Sequence, residues 1–259
     1  MTTALEIKNM SFKYDTSYIF NKFNLKVKKN DFLYLIGLNN SGKTTLINMI
    51  NGYPCDGDVY INGLELNNKN KDKIFGFTNI IDKDKVNKCK LTNIIDKIKE
   101  LSGDKYDNYL KDYKLLEVCN NDYNQLHLLD KIKVFLFISL LENYQFLIID
   151  EIIDMLDSSD KYIIYKLIKK YQRVFKKTIL IISKNADGII YAKRILILSQ
   201  GRICFDGSIN DVDKNDNLFN DLSIRLPFIV DLSIKLKLYD LIKEIYVDEK
   251  RMIKDIWKK

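Results

Sequence analysis

Two short stretches carry side chains that could act together on a phosphate ester. The first, GLNNSGKTT at 37–45, spaces Gly37, Gly42, Lys43 and Thr44 as G-x-x-x-x-G-K-[ST]. The glycines let backbone N–H groups around Asn39, Asn40 and Ser41 turn inward toward phosphate oxygens, and a helix opening at Lys43-Thr44-Thr45 adds its positive end. Lys43 would neutralise charge on the β- and γ-phosphates, and the Thr44 hydroxyl would reach Mg²⁺. The alternative is a glycine turn that happens to expose a lysine. The second stretch, FLIIDE at 146–151, ends four apolar residues in two acids. There Asp150 would hold Mg²⁺ through water, and Glu151 would orient or deprotonate an attacking water. An apolar strand ending in Asp-Glu is a weak signal alone; behind a phosphate loop it points to a nucleotide site.

The elements needed to position these groups are legible around them. FLYLIG (32–37) reads as a buried strand running into the loop, and KTTLINMING as the helix that follows. Strand-like alternation marks LEIKNMSF (5–12) and FNLKV (23–27), and DVYING (58–63) and KIFGF (73–77) are further strand candidates. From about 91 to 143 the pattern turns helical. FLIID and TILIIS (178–183) read as buried strands around an amphipathic helix at 161–175, with a short helix expected near 187–193. RILILSQGRICFDG (194–207) reads as two strands about a Gln-Gly turn, and a mainly helical tail follows. Buried strands alternating with helices imply an α/β fold with a mainly parallel sheet covered on both faces. The helical block at 91–143 is expected to be an inserted subdomain.

Composition narrows the function classes. The 259 residues carry a net charge of +7, with 42 Lys and Arg against 35 Asp and Glu, in short patches such as KVKKN and KNKDK. That suits a solvated basic surface or one drawn to an anionic membrane face. No basic stripe interleaved with aromatics speaks for nucleic acid. Cys55, Cys89, Cys119 and Cys204 lie far apart and the chain has one histidine, so no common zinc site is spelled out and reduced, buried thiols are expected. The longest apolar run, VFLFISLL (134–141), is too short to cross a bilayer, and the N-terminus lacks the apolar run of a signal peptide.

With the two motifs placed, the chain resembles the ATP-binding cassette (ABC) ATPases, and within them the ATPase subunits of energy-coupling factor (ECF) transporters. The resemblance implies an ABC-type fold with an N-terminal antiparallel β part, the inserted helical subdomain and a C-terminal helical extension. The nucleotide-binding domain would span 1–215 and a dimerisation extension 216–259. SFKY (11–14) looks like the aromatic loop of the family, which would stack Tyr14 on adenine; a core tyrosine is the alternative. DMLD (154–157) looks like the D-loop, which would put Asp157 at a dimer interface. LSIRLPFIVDLSIKL (222–236) looks like the extension that helps hold two ECF ATPase subunits together. ATP and Mg²⁺ are the implied cofactors.

The chain departs from that pattern in the signature, after TILIIS and near residue 79. The family signature LSGGQ, which covers the γ-phosphate of the opposite subunit, falls in register on LHLLDKIKV (126–134). His127 takes the serine position, Leu128 and Leu129 replace the glycines, and Asp130 replaces the glutamine. Leucine side chains block close backbone approach to a phosphate. The sole histidine is thus read as a replacement with no catalytic role. Where TILIIS should end in a γ-phosphate-sensing histidine, the chain has Lys184, which could attract phosphate as a point charge or pair with Glu151. Loss of a preorganised group of this kind costs roughly 10²–10³ in rate. The glutamine that contacts Mg²⁺ is read as Asn79, shorter by one bond of ~1.5 Å.

The resemblance and these losses together imply an asymmetric heterodimer. This chain would supply the phosphate loop, Asp150 and Glu151, and an unlike ABC ATPase subunit an intact signature. An integral membrane coupling subunit and a substrate-capture subunit would complete an importer of vitamins or other micronutrients, with this chain peripheral on the cytoplasmic face of the membrane. Weakened catalysis is expected, with little or none alone. Two alternatives stay open: a catalytically inactive nucleotide-binding structural subunit, and a soluble ABC ATPase outside transport.

Overall fold

A computed structural model describes residues 3–76, 78–88, 94–112, 114–119, 121–142 and 144–257. Among the described residues ten strands form two sheets. Strands β1 (Thr3–Tyr14), β2 (Ser17–Lys28), β4 (Asp56–Ile61) and β5 (Leu64–Glu65) make an antiparallel sheet in the order β2-β1-β4-β5. Strands β3 (Phe32–Gly37), β6 (Thr78–Ile81), β7 (Phe146–Asp150), β8 (Thr178–Ser183), β9 (Arg194–Ser199) and β10 (Arg202–Gly207) make the second, in the order β10-β9-β3-β8-β7-β6. All of its pairings are parallel except the hairpin of β9 and β10. That hairpin turns at Gln200-Gly201, both with positive φ, as the Gln-Gly pair implies.

The central strands are apolar throughout because both of their faces are covered. Alternation of period two divides them between two cores. Tyr34, Ile36, Leu147, Ile149, Ile179 and Ile181 face one core, which is filled largely by helices. Leu33, Leu35, Phe146, Ile148, Leu180 and Ile182 face the other, which they share with the antiparallel sheet and helix α1 (Lys43–Ile50). Between β5 and β6 lies α2 (Lys71–Phe75). Between β6 and β7 the described residues form helices α3 (Lys83–Lys88), α4 (Ile94–Ser102), α5 (Tyr106–Asp112), α6 (Leu116–Cys119) and α7 (Leu128–Leu141), and no strand. Helix α8 (Ser158–Phe175) joins β7 to β8, and α9 (Asp216–Asp221), α10 (Phe228–Leu238) and α11 (Glu249–Ile256) form the tail. Among the described residues no helix is long and apolar enough to cross a membrane.

Three expectations from sequence are corrected here. The strand candidate at 73–77 is instead the end of α2, with Ile74 buried and Asp72 in the first turn, and the strand begins at Thr78. Five residues with three apolar positions fit either period, so the pattern could not decide; Phe77 lies outside the described residues. The helix expected near 187–193 is a run of single turns, with Ile189, Tyr191 and Ala192 N–H groups donating three residues back. Gly188 breaks helical propensity there while letting Tyr34 and Tyr165 approach the backbone. The thiols are not uniformly buried: Cys204 is exposed on the outer strand β10 and Cys55 half-buried. Cys89 lies outside the described residues.

Candidate functional site

Strand β3 delivers the loop 38–42 to the carboxyl end of the parallel sheet, where an open α/β sheet binds ligands. The chain then turns into α1 through Asn40 at φ +63° and Gly42 at φ +108°. Successive residues with inward-facing N–H groups make an anion-binding concavity. Gly42 sits over the ring of Phe20, 3.0 Å from where a Cβ would fall, so a larger residue would be strained by its φ and would have to push that ring aside. The Ser41 hydroxyl oxygen is buried inside the loop, with no hydrogen-bond partner among the described residues. An unpaired buried polar atom in such a loop suits a phosphate oxygen as its missing partner.

The loop opens onto a cleft of about 700 Å³. Asn39, Asn40, Ser41, Gly42, Lys43, Thr44 and Thr45 line its floor. Tyr14, Glu151 and Lys184 line it from three other elements. Tyr14 is half exposed and meets Phe12 in an edge-to-face arrangement at 4.8 Å. The Lys43 ammonium is buried and donates to the carbonyls of Gly37 and of Leu38, the latter at 2.8 Å. It also lies 3.2 Å from Glu151 Oε1, while the Lys184 ammonium lies 2.9 Å from Glu151 Oε2. Both oxygens of Glu151 are therefore engaged by cations, and its ion pair raises the pKa of Lys184. Glu151 itself sits at φ +49°, strained for a residue with a side chain, with its N–H held by the Ile182 carbonyl at 3.0 Å.

Asp150 ends β7 beside this ion-pair bridge. Burial, then the neighbouring charges of Glu151 and Asp82, push its carboxyl up to about 6, against a weaker pull from Lys43. A carboxylate so disfavoured is a good place for a divalent cation. Mg²⁺ commonly takes one or two carboxylates, with waters and phosphate oxygens filling the rest. The Asp150 carboxylate and the Thr44 hydroxyl are donors of the kind that role needs; Thr44 lines the cleft and Asp150 is not among its lining residues, and among the described residues no cluster of three acids, cysteines or histidines competes for it.

Asn79 is not brought to this cleft. It lies buried within β6, opposite Leu147, donates to Ser139 Oγ at 3.2 Å and accepts from the Lys85 ammonium at 2.6 Å. It lines a separate cavity with Asp84 and Tyr144. Ile81 pairs with Ile149, so the next residue, Asp82, comes level with Asp150, and it is Asp82 whose charge Asp150 feels. The signal for Asp82 was present in the sequence: like Asp150, it closes a short apolar strand.

The remaining singled-out residues lie outside the cleft. His127 is exposed and precedes α7 without capping it through its side chain. Leu128 and Leu129 are half-buried against the helical core, and Asp130 pairs with Lys133 at 2.9 Å. Asp157 caps α8, accepting from the Asp160 N–H and the Ser159 hydroxyl, each at 2.8 Å.

A family model described as ABC transporter matches residues 20–154, just over half of the chain. The energy-coupling factor transporter ATP-binding protein EcfA1 of Mycoplasma mobile is 29% identical, with 92% of each chain covered. The protein of the same name from Fusobacterium nucleatum is also 29% identical, over 88% of this chain and 90% of that one. Among solved structures, cbiO1 from Clostridium perfringens, part of the ABC transporter complex cbiONQ, superposes with a TM-score of 0.73 at 20% identity. It covers 90% of this chain and 99% of that one. The energy-coupling factor type is what the two EcfA1 relatives carry in their names, and the chain itself belongs to the ABC transporter family.

Proposed function

We propose that the chain is the ATP-binding subunit of an ECF-type importer, binding MgATP in the cleft and working beside an unlike ATPase subunit. The observation that carries the reading is the meeting of Lys43, Glu151 and Lys184 over a loop whose Ser41 hydroxyl lacks a partner among the described residues. Triphosphate would draw Lys43 from the loop carbonyls, and Tyr14 would stack on the base. Asp150 and Thr44 would hold Mg²⁺, which when bound neutralises charge at the phosphate oxygens. Glu151 is the group to orient or deprotonate water, and its double ion pair is a reason for slow turnover.

The heterodimer reading rests on positions 126–130. Leucines at 128 and 129 offer a phosphate neither close backbone nor hydroxyl donors, so the opposite site must tolerate a poor lid. The C-terminal tail suits a role in holding the two subunits together: Phe228, Leu238, Tyr239 and Trp257 expose large apolar surface, with Phe228 72% and Trp257 84% accessible. The membrane coupling subunit would keep the chain on the cytoplasmic face, and a separate subunit would capture the vitamin or other micronutrient. A second reading, a structural subunit that binds ATP without hydrolysing it, is favoured by the same capture of Glu151 between two lysines.

The purified chain should bind MgATP and show negligible hydrolysis. Lys43→Ala should weaken binding at least tenfold, on the order of a lost charge-assisted contact. In the assembled transporter, uptake that falls with Lys43→Ala supports the motor subunit. Unchanged uptake would make the site structural, and brisk hydrolysis by the isolated chain, abolished in Glu151→Gln, would overturn the weakened-catalysis reading.

A further inference from the structure

Lys184 ends a long, flexible stem on an exposed turn after β8, and such a side chain does not by itself stay on one partner. The turn beneath it is fixed by one acid. Asp154 Oδ1 accepts from the Ser183 hydroxyl at 2.6 Å, and Oδ2 accepts from the Lys184 N–H at 2.9 Å. Ser183 Oγ in turn accepts from the Asn185 N–H at 2.9 Å. Asp154 is placed by a tight turn of its own, its N–H donating to the Glu151 carbonyl at 3.2 Å, and the Glu151 N–H donates across to Ile182 at 3.0 Å. Two turns, 151–154 and 182–185, are thus laced together, and each end of the Lys184–Glu151 ion pair hangs from one of them.

Asp154 makes no ion pair of its own among the described residues, although two ammonium groups lie near. Lys184 goes to Glu151, and Lys161 pairs with Asp187 at 2.8 Å. Burial raises the Asp154 carboxyl above its ordinary range. A half-buried acid without a cation is costly, and what it does here is hold backbone and hydroxyl donors.

We propose that Asp154 is a positioning residue for nucleotide recognition, holding the 183–185 turn so that Lys184 points to Glu151 and to the place of the γ-phosphate. The proposal rests on the reading that the cleft binds ATP with Lys184 on its terminal phosphate. It predicts that Asp154 matters for ATP and little for ADP, which has no γ-phosphate to meet. An asparagine should serve in part: its oxygen can accept from the Lys184 N–H while its amide donates to Ser183 Oγ, which can still donate to the Asn185 carbonyl 3.0 Å away.

The test measures affinities of the whole chain for ADP and a non-hydrolysable ATP analogue with Mg²⁺, in Asp154→Ala, Asp154→Asn, Lys184→Met and the Asp154→Ala/Lys184→Met double variant. Lys184→Met should lower the preference for the ATP analogue about tenfold, the size of one charge-assisted contact. Asp154→Ala should lower it comparably with ADP affinity kept, Asp154→Asn should restore most of it, and the double variant should lose no more than Lys184→Met alone. Retained ADP binding shows that a variant is folded; should Asp154→Ala not fold, Asp154→Asn and Ser183→Ala carry the comparison. An unchanged preference in Asp154→Ala, or losses that add in the double variant, would overturn the proposal. Failure of the unmutated chain to bind either nucleotide would instead refute the ATP-site reading, and the proposal with it.

Discussion

Replacing Asp150 by asparagine should stabilise the nucleotide-free protein while removing its response to Mg²⁺. Asp150 is raised from an ordinary 3.8 to about 6 by burial and by Glu151 and Asp82. A group whose pKa is higher in the folded state favours folding fully below its unfolded value, and that support is lost as pH rises through the folded value. The gap is worth about 3 kcal/mol when complete. At pH 8 the carboxylate carries that whole cost, so Asp150→Asn should gain on the order of 1–3 kcal/mol, since Asn keeps the shape and drops the charge. At pH 5 the folded protein holds its Asp150 proton while the unfolded chain does not, and the advantage should shrink by about 1.4 kcal/mol. Urea denaturation of both proteins at the two pH values, without nucleotide or divalent cation, reads this directly. MgATP should then stabilise the wild type more than the variant. A variant less stable than wild type at pH 8, or an advantage equal at both pH values, would refute the argument that unrelieved charge at Asp150 awaits a cation.

Two other predictions concern the groups that hold β3 and α8 together beside Gly188. The buried hydroxyls of Tyr34 and Tyr165 are 2.9 Å apart, and burial raises both pKa values. Tyr34→Phe should cost about 1–3 kcal/mol by stranding the Tyr165 hydroxyl, and the double phenylalanine variant should cost less than the two single changes summed, by chemical denaturation. Gly188→Ala would put a methyl group 2.3 Å from the Tyr34 ring and 2.6 Å from that of Tyr165. We expect a loss of about 1–3 kcal/mol or more, seen as a lower melting temperature, and a variant as stable as wild type would show that the rings shift freely.

Where the chemistry dictates spacing, the sequence was readable. The loop 37–45 and the pair Asp150-Glu151 fall where they should because a phosphate loop needs a strand before it and a helix after it, and both faces of that strand must be apolar. Lys184 facing Glu151 was one of two options left open by a cation at the end of β8, and the 2.9 Å contact realises it. Asn79 was misplaced because the register of a four-residue strand cannot be counted from its own residues; pairing with β7 sets it. The bond of Asp154 to the 183–185 turn was not legible for a related reason. Its partners lie 29 and 30 residues away, on a turn that only the neighbouring parallel strands bring alongside.

The placing of β3 has a consequence for how the protein is made. Its two neighbours in the sheet, β8 and β9, are residues 178–183 and 194–199, and the Gly201 N–H braces the phosphate loop by donating to the Ser41 carbonyl at 3.1 Å. At synthesis rates of about 5–20 residues per second, those partners leave the ribosome roughly 8–30 s after the loop does. Through that interval FLYLIG is an apolar strand with both edges open, the kind of segment that aggregates or recruits chaperones. A nascent chain stalled before residue 194 should therefore carry the complete phosphate-loop sequence and still fail to retain nucleotide.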